Sequence, residues 1–129
     1  MQKKTGVLSS LLYVEDDSIS REIVSMFLKD YFEVDTATDS SEAFKKINKN
    51  SYAIILLDIS LCKGMDGFEM AREIRKIKNY KDVPILAVTA HAFREDENRI
   101  LKSGCSHYIS KPFTKSSLIE RINVALAGN

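Results

Sequence analysis

The sequence predicts an open α/β sandwich built on a parallel sheet, and three observations carry that reading. Four short runs are almost continuously apolar: Leu11-Leu12-Tyr13-Val14, Ala53-Ile54-Ile55-Leu56-Leu57, Val83-Pro84-Ile85-Leu86-Ala87-Val88 and a weaker Tyr108-Ile109. Runs of that length and composition belong to strands buried on both faces. Between them lie segments of helical period, each able to lay one apolar face on a sheet. The resulting order, strand then helix five times over, calls for parallel pairing with right-handed crossovers.

Taken in order, Leu11 to Val14 is the first strand, and Asp17 caps the helix that follows it. That helix carries Ile19, Ile23, Met26 and Phe27 at i, i+4, i+7, i+8, which predicts that this stripe faces the sheet. Phe32 to Thr36 alternates and holds Glu33 and Asp35, the pattern of an edge strand. Asp39 with Glu42 three residues on has the form of a capping box, so a second helix begins near Ser40 and carries Ala43, Phe44 and Ile47. After the third strand, Met65-Asp66-Gly67 reads as a turn into a helix with Met70, Ile74 and Ile77. Ala92 to Lys102 has little apolar surface beyond Phe93, Ile100 and Leu101, which predicts loose packing and availability to partners. Thr114 opens a last helix with Leu118, Ile119, Ile122 and Leu126.

Composition narrows the class. The 129 residues suit one domain, with 19 basic against 18 acidic side chains, a net charge of +1 and 44% apolar residues. This balance speaks against a disordered chain, an acidic tail or a coat for nucleic acid. Five glycines and two prolines are roughly half the average usage, so turn-dense small β folds are excluded. A chain of this size hides on the order of two thirds of its unfolded surface and needs no staple. Cys62 and Cys105 read as free thiols of a reduced, cytoplasmic protein; Cys105 and His107 alternate at strand spacing but gather no further metal ligands. Lys3-Lys4 and the apolar Val7 to Val14 imitate a signal peptide, yet the run ends in Glu15-Asp16-Asp17 without a cleavage site, and no stretch approaches a membrane span.

In open α/β sheets, ligands gather beyond the carboxyl ends of the strands, where the strand order reverses. Those ends carry Glu15 and Asp16 after the first strand, Asp58 after the third, Thr89 after the fourth and Lys111 after the fifth. Carboxylates brought together there need a counter-charge. A hard divalent cation such as magnesium supplies it through oxygen ligands, while a lysine and a hydroxyl offer what a phosphoryl group's oxygens need. Singly, each residue has a plainer reading: Asp16 as a helix-start acid, Asp58 as a turn former, Thr89 as a strand threonine, Lys111 as a solvated cation. The joint placement carries the argument.

Val14-Glu15-Asp16, Leu57-Asp58, Thr89-Ala90 and Lys111-Pro112, each after a predicted strand and in this order, resemble the receiver domain of two-component response regulators over essentially the whole chain. The resemblance implies a flavodoxin-like (βα)5 three-layer sandwich with strand order 2-1-3-4-5, spanning residues 10–128 behind a nine-residue lead. It implies that Asp58 takes a phosphoryl group from a histidine kinase or histidine phosphotransfer protein; a carboxylate, ionised near pH 7, needs no general base. Magnesium, or manganese in its place, would be held by Asp16, Asp58 and the backbone carbonyl of Ser60, with Glu15 acting through water. Transfer through a loose transition state leaves the protein the work of positioning and charge neutralisation, here by Lys111. Thr89 would close on the phosphoryl group, Tyr108 would either swing into the space behind it or serve as a core-edge aromatic, and the face of the fourth helix, fifth strand and fifth helix would change for a downstream protein. A cis Lys111-Pro112 peptide is implied as well.

Ser60 and His91 occupy positions that tune phosphoryl lifetime in this family; His91 either overhangs the pocket or faces solvent. Cys62 stands where the family commonly has proline, and the stretch from Asp58 to Gly67 looks one residue longer than usual. Two rivals share the residues. An aspartate-nucleophile phosphohydrolase would need a second Asp where Ser60 stands, and a pseudo-receiver would lack an acid or the lysine. Nothing in the chain reads as a DNA-binding or membrane element, so it is either a stand-alone regulator or a piece of a hybrid kinase or longer regulator.

Overall fold

A computed structural model describes residues 8–61, 63–90 and 94–128, so Cys62 and His91 lie outside the described residues. The strands are β1 (Ser10–Val14), β2 (Glu33–Ala37), β3 (Ile54–Asp58), β4 (Ile85–Thr89) and β5 (His107–Ser110). They alternate with helices α1 (Ser18–Leu28), α2 (Ser40–Lys49), α3 (Gly67–Arg75), α4 (Arg94–Lys102) and α5 (Lys115–Leu126), with one 3-10 turn at Lys78–Tyr80. The sheet runs β2-β1-β3-β4-β5 with every neighbouring pair parallel, the flavodoxin-like arrangement expected from the sequence.

The apolar runs are buried because both faces of the sheet are covered. Leu11 to Val14, Ile54 to Leu57 and Ile85 to Val88 all have zero exposure. Side-chain alternation splits them between two cores. Leu12, Val14, Ile55, Leu57, Ile85 and Ala87 meet Ala43 and Ile47 of α2, Met70 and Ile74 of α3 and Ile100 of α4. Leu11, Tyr13, Ile54, Leu56, Leu86, Val88 and Ile109 meet Val24 and Leu28 of α1 and Leu118, Ile119 and Ile122 of α5. On α4, Ile100 is fully buried and joins the core, while Leu101 is 47% exposed.

Helix starts follow the local signals. Asp17, Asp39, Asp66 and Thr114 are N-caps, accepting from the backbone N–H groups of Ser20, Glu42, Glu69 and Ser117. At α2 the reciprocal arm lands one residue early, since the Glu42 carboxylate accepts from the Thr38 N–H. Two expectations need correction. The α1 stripe is rotated: Val24 and Leu28 are buried and Phe27 packs against them, whereas Ile19 is 64%, Ile23 43% and Met26 67% exposed. Ile77 lies past the end of α3, which stops at Arg75, and packs from the segment leading into the 3-10 turn. Arg75 is responsible for joining that region to the core, its guanidinium donating to the carbonyls of Gly104 and Tyr80 at 2.8 Å each and to that of Val83.

Candidate functional site

The carboxyl edge of the sheet brings together residues far apart in sequence. Because β1 and β3 are neighbours, Glu15, Asp16 and Asp58 offer carboxylate oxygens that all lie within 4.8 Å of one another. Glu15 is 1% exposed and Asp58 2%, while Asp16 is exposed. Alternation sets the direction of each side chain. Asp58 continues the face of Leu56, and Glu15 that of Tyr13, whose hydroxyl donates to Glu15 Oε1 at 2.9 Å. Lys111 continues the face of Ile109 and reaches across the edge, its Nζ 2.8 Å from Glu15 Oε1 and 3.9 Å from Asp58 Oδ2.

The loop after β3 holds the Asp58 side of the site. Ser60 donates to Asp58 Oδ1 twice, from its backbone N–H at 3.0 Å and its hydroxyl at 2.9 Å. The loop returns so closely that a Cβ on Gly67 would stand 2.6 Å from Ile59 Cα and 2.7 Å from the Asp58 carbonyl oxygen, so only glycine fits at the start of α3. Gly64 supplies the left-handed turn, with φ +77°, and Met65 N–H anchors the loop on Ser40 Oγ at 3.2 Å.

Thr89 ends β4 with 6% exposure, and its carbonyl accepts from the Lys111 N–H at 2.7 Å. It shares a face with Ala87, and Tyr108, paired with Ala87 across β4 and β5, packs half-buried on that same side. The Lys111-Pro112 peptide is cis. The edge therefore separates its residues, with Asp58, Glu15 and Lys111 on the α1/α5 face and Thr89 and Tyr108 on the other.

Charge crowding shifts the proton affinities of the site. Burial pushes the Glu15 carboxyl above the usual range, the adjacent Asp58 pushes the same way, and Lys111 and Tyr13 pull it back. Burial disfavours the Lys111 ammonium, but Glu15 and Asp58 outweigh it and raise its pKa above the ordinary lysine value. One lysine against three carboxylates leaves negative charge for a cation, and the donor set is all oxygen, so the site fits a hard divalent metal.

Of the residues singled out in the sequence, Glu15, Asp16, Asp58, Ser60, Thr89 and Lys111 lie at the carboxyl edge of the sheet, and Tyr108 stands two residues before the end of β5, opposite Ala87. Sequence reasoning missed Tyr13, Arg21 and Arg121. Arg21 donates to the Glu15 carbonyl at 2.8 Å; Arg121 donates to the Tyr108 carbonyl at 2.9 Å and lies 5.8 Å from the centroid of its ring. Tyr13 was legible as an apolar strand residue with a polar tip two positions before an acid. It also missed a pocket of about 220 Å³ beside the site, lined by Ile23 and Phe27 of α1, by Tyr13 and by Lys111, Pro112 and Phe113.

A parallel 2-1-3-4-5 sheet with acids, a threonine and a lysine on its carboxyl edge is the build of a signalling switch. Comparison with known proteins agrees. The sequence model of the response regulator receiver domain matches residues 11–123. The regulatory protein VanRB of Enterococcus faecalis is 35% identical over 116 residues, covering 90% of this chain and 51% of that protein. The chemotaxis response regulator CheY4 of Vibrio cholerae superposes with a TM-score of 0.88 at 30% identity, covering 92% and 99% of the two chains. The receiver domain of the sensor histidine kinase PA1611 of Pseudomonas aeruginosa, with magnesium coordinated in its active-site cleft, gives 0.85 at 29% identity, covering 94% and 99%. The chain belongs to the response regulator receiver domain family and is a receiver of the two-component type. It spans about half the length of the curated relatives it matches. Among the described residues, no helix is long and apolar enough to cross a membrane.

Proposed function

We propose that Asp58 is the phosphoryl acceptor, in a reaction with a phosphohistidine of a histidine kinase or histidine phosphotransfer protein. The observation that carries this reading is the Lys111 ammonium set between buried Glu15 and buried Asp58. An Asp58 oxygen forms the new O–P bond while the donor's N–P bond breaks, and the leaving imidazole keeps the electron pair and takes up a proton from solvent. Ser60 fixes one Asp58 oxygen with two hydrogen bonds, which leaves the carboxylate oriented before the donor arrives. Lys111 neutralises a phosphoryl oxygen as charge moves onto it. The acids Asp16 and Asp58 and the Ser60 carbonyl would hold magnesium or manganese directly, with Glu15 acting through water. When bound, the metal supplies further neutralisation of the phosphoryl oxygens.

Thr89 closes on the product from the far side of the sheet, and Tyr108 follows on the shared face, altering the α4, β5 and α5 surface presented to a downstream protein. The donor is received on the opposite flank. Ile19, Ile23 and Met26 form an exposed apolar stripe on α1, of which Ile23 lines the Lys111 pocket, and a phosphohistidine must bring its own helix within a side chain's length of Asp58. The chain is thus a cytoplasmic switch that promotes only its own phosphorylation and dephosphorylation, with Ser60 and His91 setting the access of water.

The test is incubation with magnesium and a small phosphodonor, followed by intact mass. One added phosphoryl group is expected, and none when the metal is chelated before the donor is added; an unchanged mass in magnesium would support a pseudo-receiver instead.

A further inference from the structure

Tyr13 is fully buried, yet its hydroxyl ends at the site and shares a single oxygen, Glu15 Oε1, with the Lys111 ammonium. We infer that Tyr13 is a positioning residue of the phosphotransfer site, acting through Glu15 to fix where Lys111 and the acidic cluster stand. This rests on the reading of Asp58 as acceptor.

The geometry leaves Tyr13 little else to do. Its ring belongs to the core with Leu11, Val24 and Leu56, which a phenylalanine would fill equally well. The hydroxyl is what phenylalanine lacks, and it meets the carboxylate of a residue on the same strand face two positions later. Glu15 Oε1 therefore receives a neutral donor at 2.9 Å from beneath and a cation at 2.8 Å from the side. Its other oxygen receives a long contact from the Asp17 N–H, at 3.4 Å. Tyr13 thus helps commit Oε1 to the protein in a carboxylate that has oxygens of Asp16 and Asp58 within 4.8 Å. Partners that orient a ligating carboxylate typically change metal affinity or activity by at least about tenfold when removed.

Tyr13→Phe preserves the ring and removes the hydroxyl. Magnesium affinity is read from the shifts of the Asp17 and Ser60 amides in an NMR titration, and acceptor activity from the rate of phosphorylation by a small phosphodonor. The expected result is about a tenfold loss in both, with the folded spectrum retained. The decisive arm is a double-mutant cycle: in a Glu15→Ala background the hydroxyl has no carboxylate to hold, so adding Tyr13→Phe changes neither quantity further. Parent-like affinity and rate in Tyr13→Phe would overturn the inference, as would an equal loss in the Glu15→Ala background. If the parent itself takes no phosphoryl group, the acceptor reading has failed, which is a separate result.

Discussion

Lys111 Nζ donates to Glu15 Oε1 at 2.8 Å across 96 residues of sequence, and stands 1.1 Å farther, at 3.9 Å, from the oxygen of Asp58. The lysine is thus held beside Asp58 by a second acid. A phosphoryl group arriving on Asp58 would bring new anionic oxygens to an ammonium that is already in place.

Replacing Lys111 with methionine tests that arrangement through two quantities that move differently. Phosphorylation by a small donor should slow by about a hundredfold, the scale of removing one charge-stabilising donor. Magnesium should bind at least as tightly as in the parent, because a competing cation has gone. An NMR titration and the rate of mass gain measure the two.

Glu15 gives a pH prediction with a definite sign. Its folded pKa is raised, chiefly by burial and by Asp58, so it holds its proton to higher pH in the folded chain than in the unfolded one. The stability linked to it is fully present below the ordinary glutamate value and is lost as pH rises through the raised value. Without divalent ions, the stability gap between the parent and Glu15→Gln should therefore shift against the parent as pH climbs through that window. Added magnesium should flatten the trend, because ionisation then assists binding. Thermal melts of both proteins at stepped pH supply the comparison.

How much of this was legible in the sequence depends on range. Helix starts at Asp17, Asp39, Asp66 and Thr114 were readable because a cap is a contact within a few residues. The strands were readable because burial on both faces leaves an unbroken apolar run. The face of α1 was misread, since Ile19, Ile23 and Met26 keep a helical period as good as that of Val24 and Leu28, and period alone cannot say which stripe meets the sheet. The acids and lysine were found by their position after strands. Their pairing was not, because the Lys111 contact with Glu15 spans from β5 over β4 and β3 to β1.

The misread stripe has its own consequence. Ile23→Asp, on the exposed face beside the pocket, should change stability by no more than about 0.5 kcal/mol, as for most surface changes. Phosphorylation by a small donor should continue at the parent rate. Transfer from a phosphorylated histidine phosphotransfer protein should fall by about tenfold, the cost of about 1.4 kcal/mol at an interface. Equal slowing with both donors would show that the α1 face supports the site and does not receive the donor.

Cys105 is 3% exposed, and burial raises its thiol pKa to about 11. In a Cys62→Ser variant, iodoacetamide near pH 8 should leave the native protein unmodified and add one group in urea. Because the folded pKa is raised from about 9, stability linked to Cys105 should be lost as pH rises from about 9 to about 11. Labelling of the native protein at the rate of a free thiol would contradict the burial.

The most direct measurement is borohydride trapping after phosphorylation in magnesium, followed by peptide mass mapping. An acyl phosphate is reduced to an alcohol, so the mark should fall on residue 58 alone and be absent from Asp58→Asn. A mark on another acid, or one that persists in Asp58→Asn, would contradict the assignment of Asp58 as the acceptor.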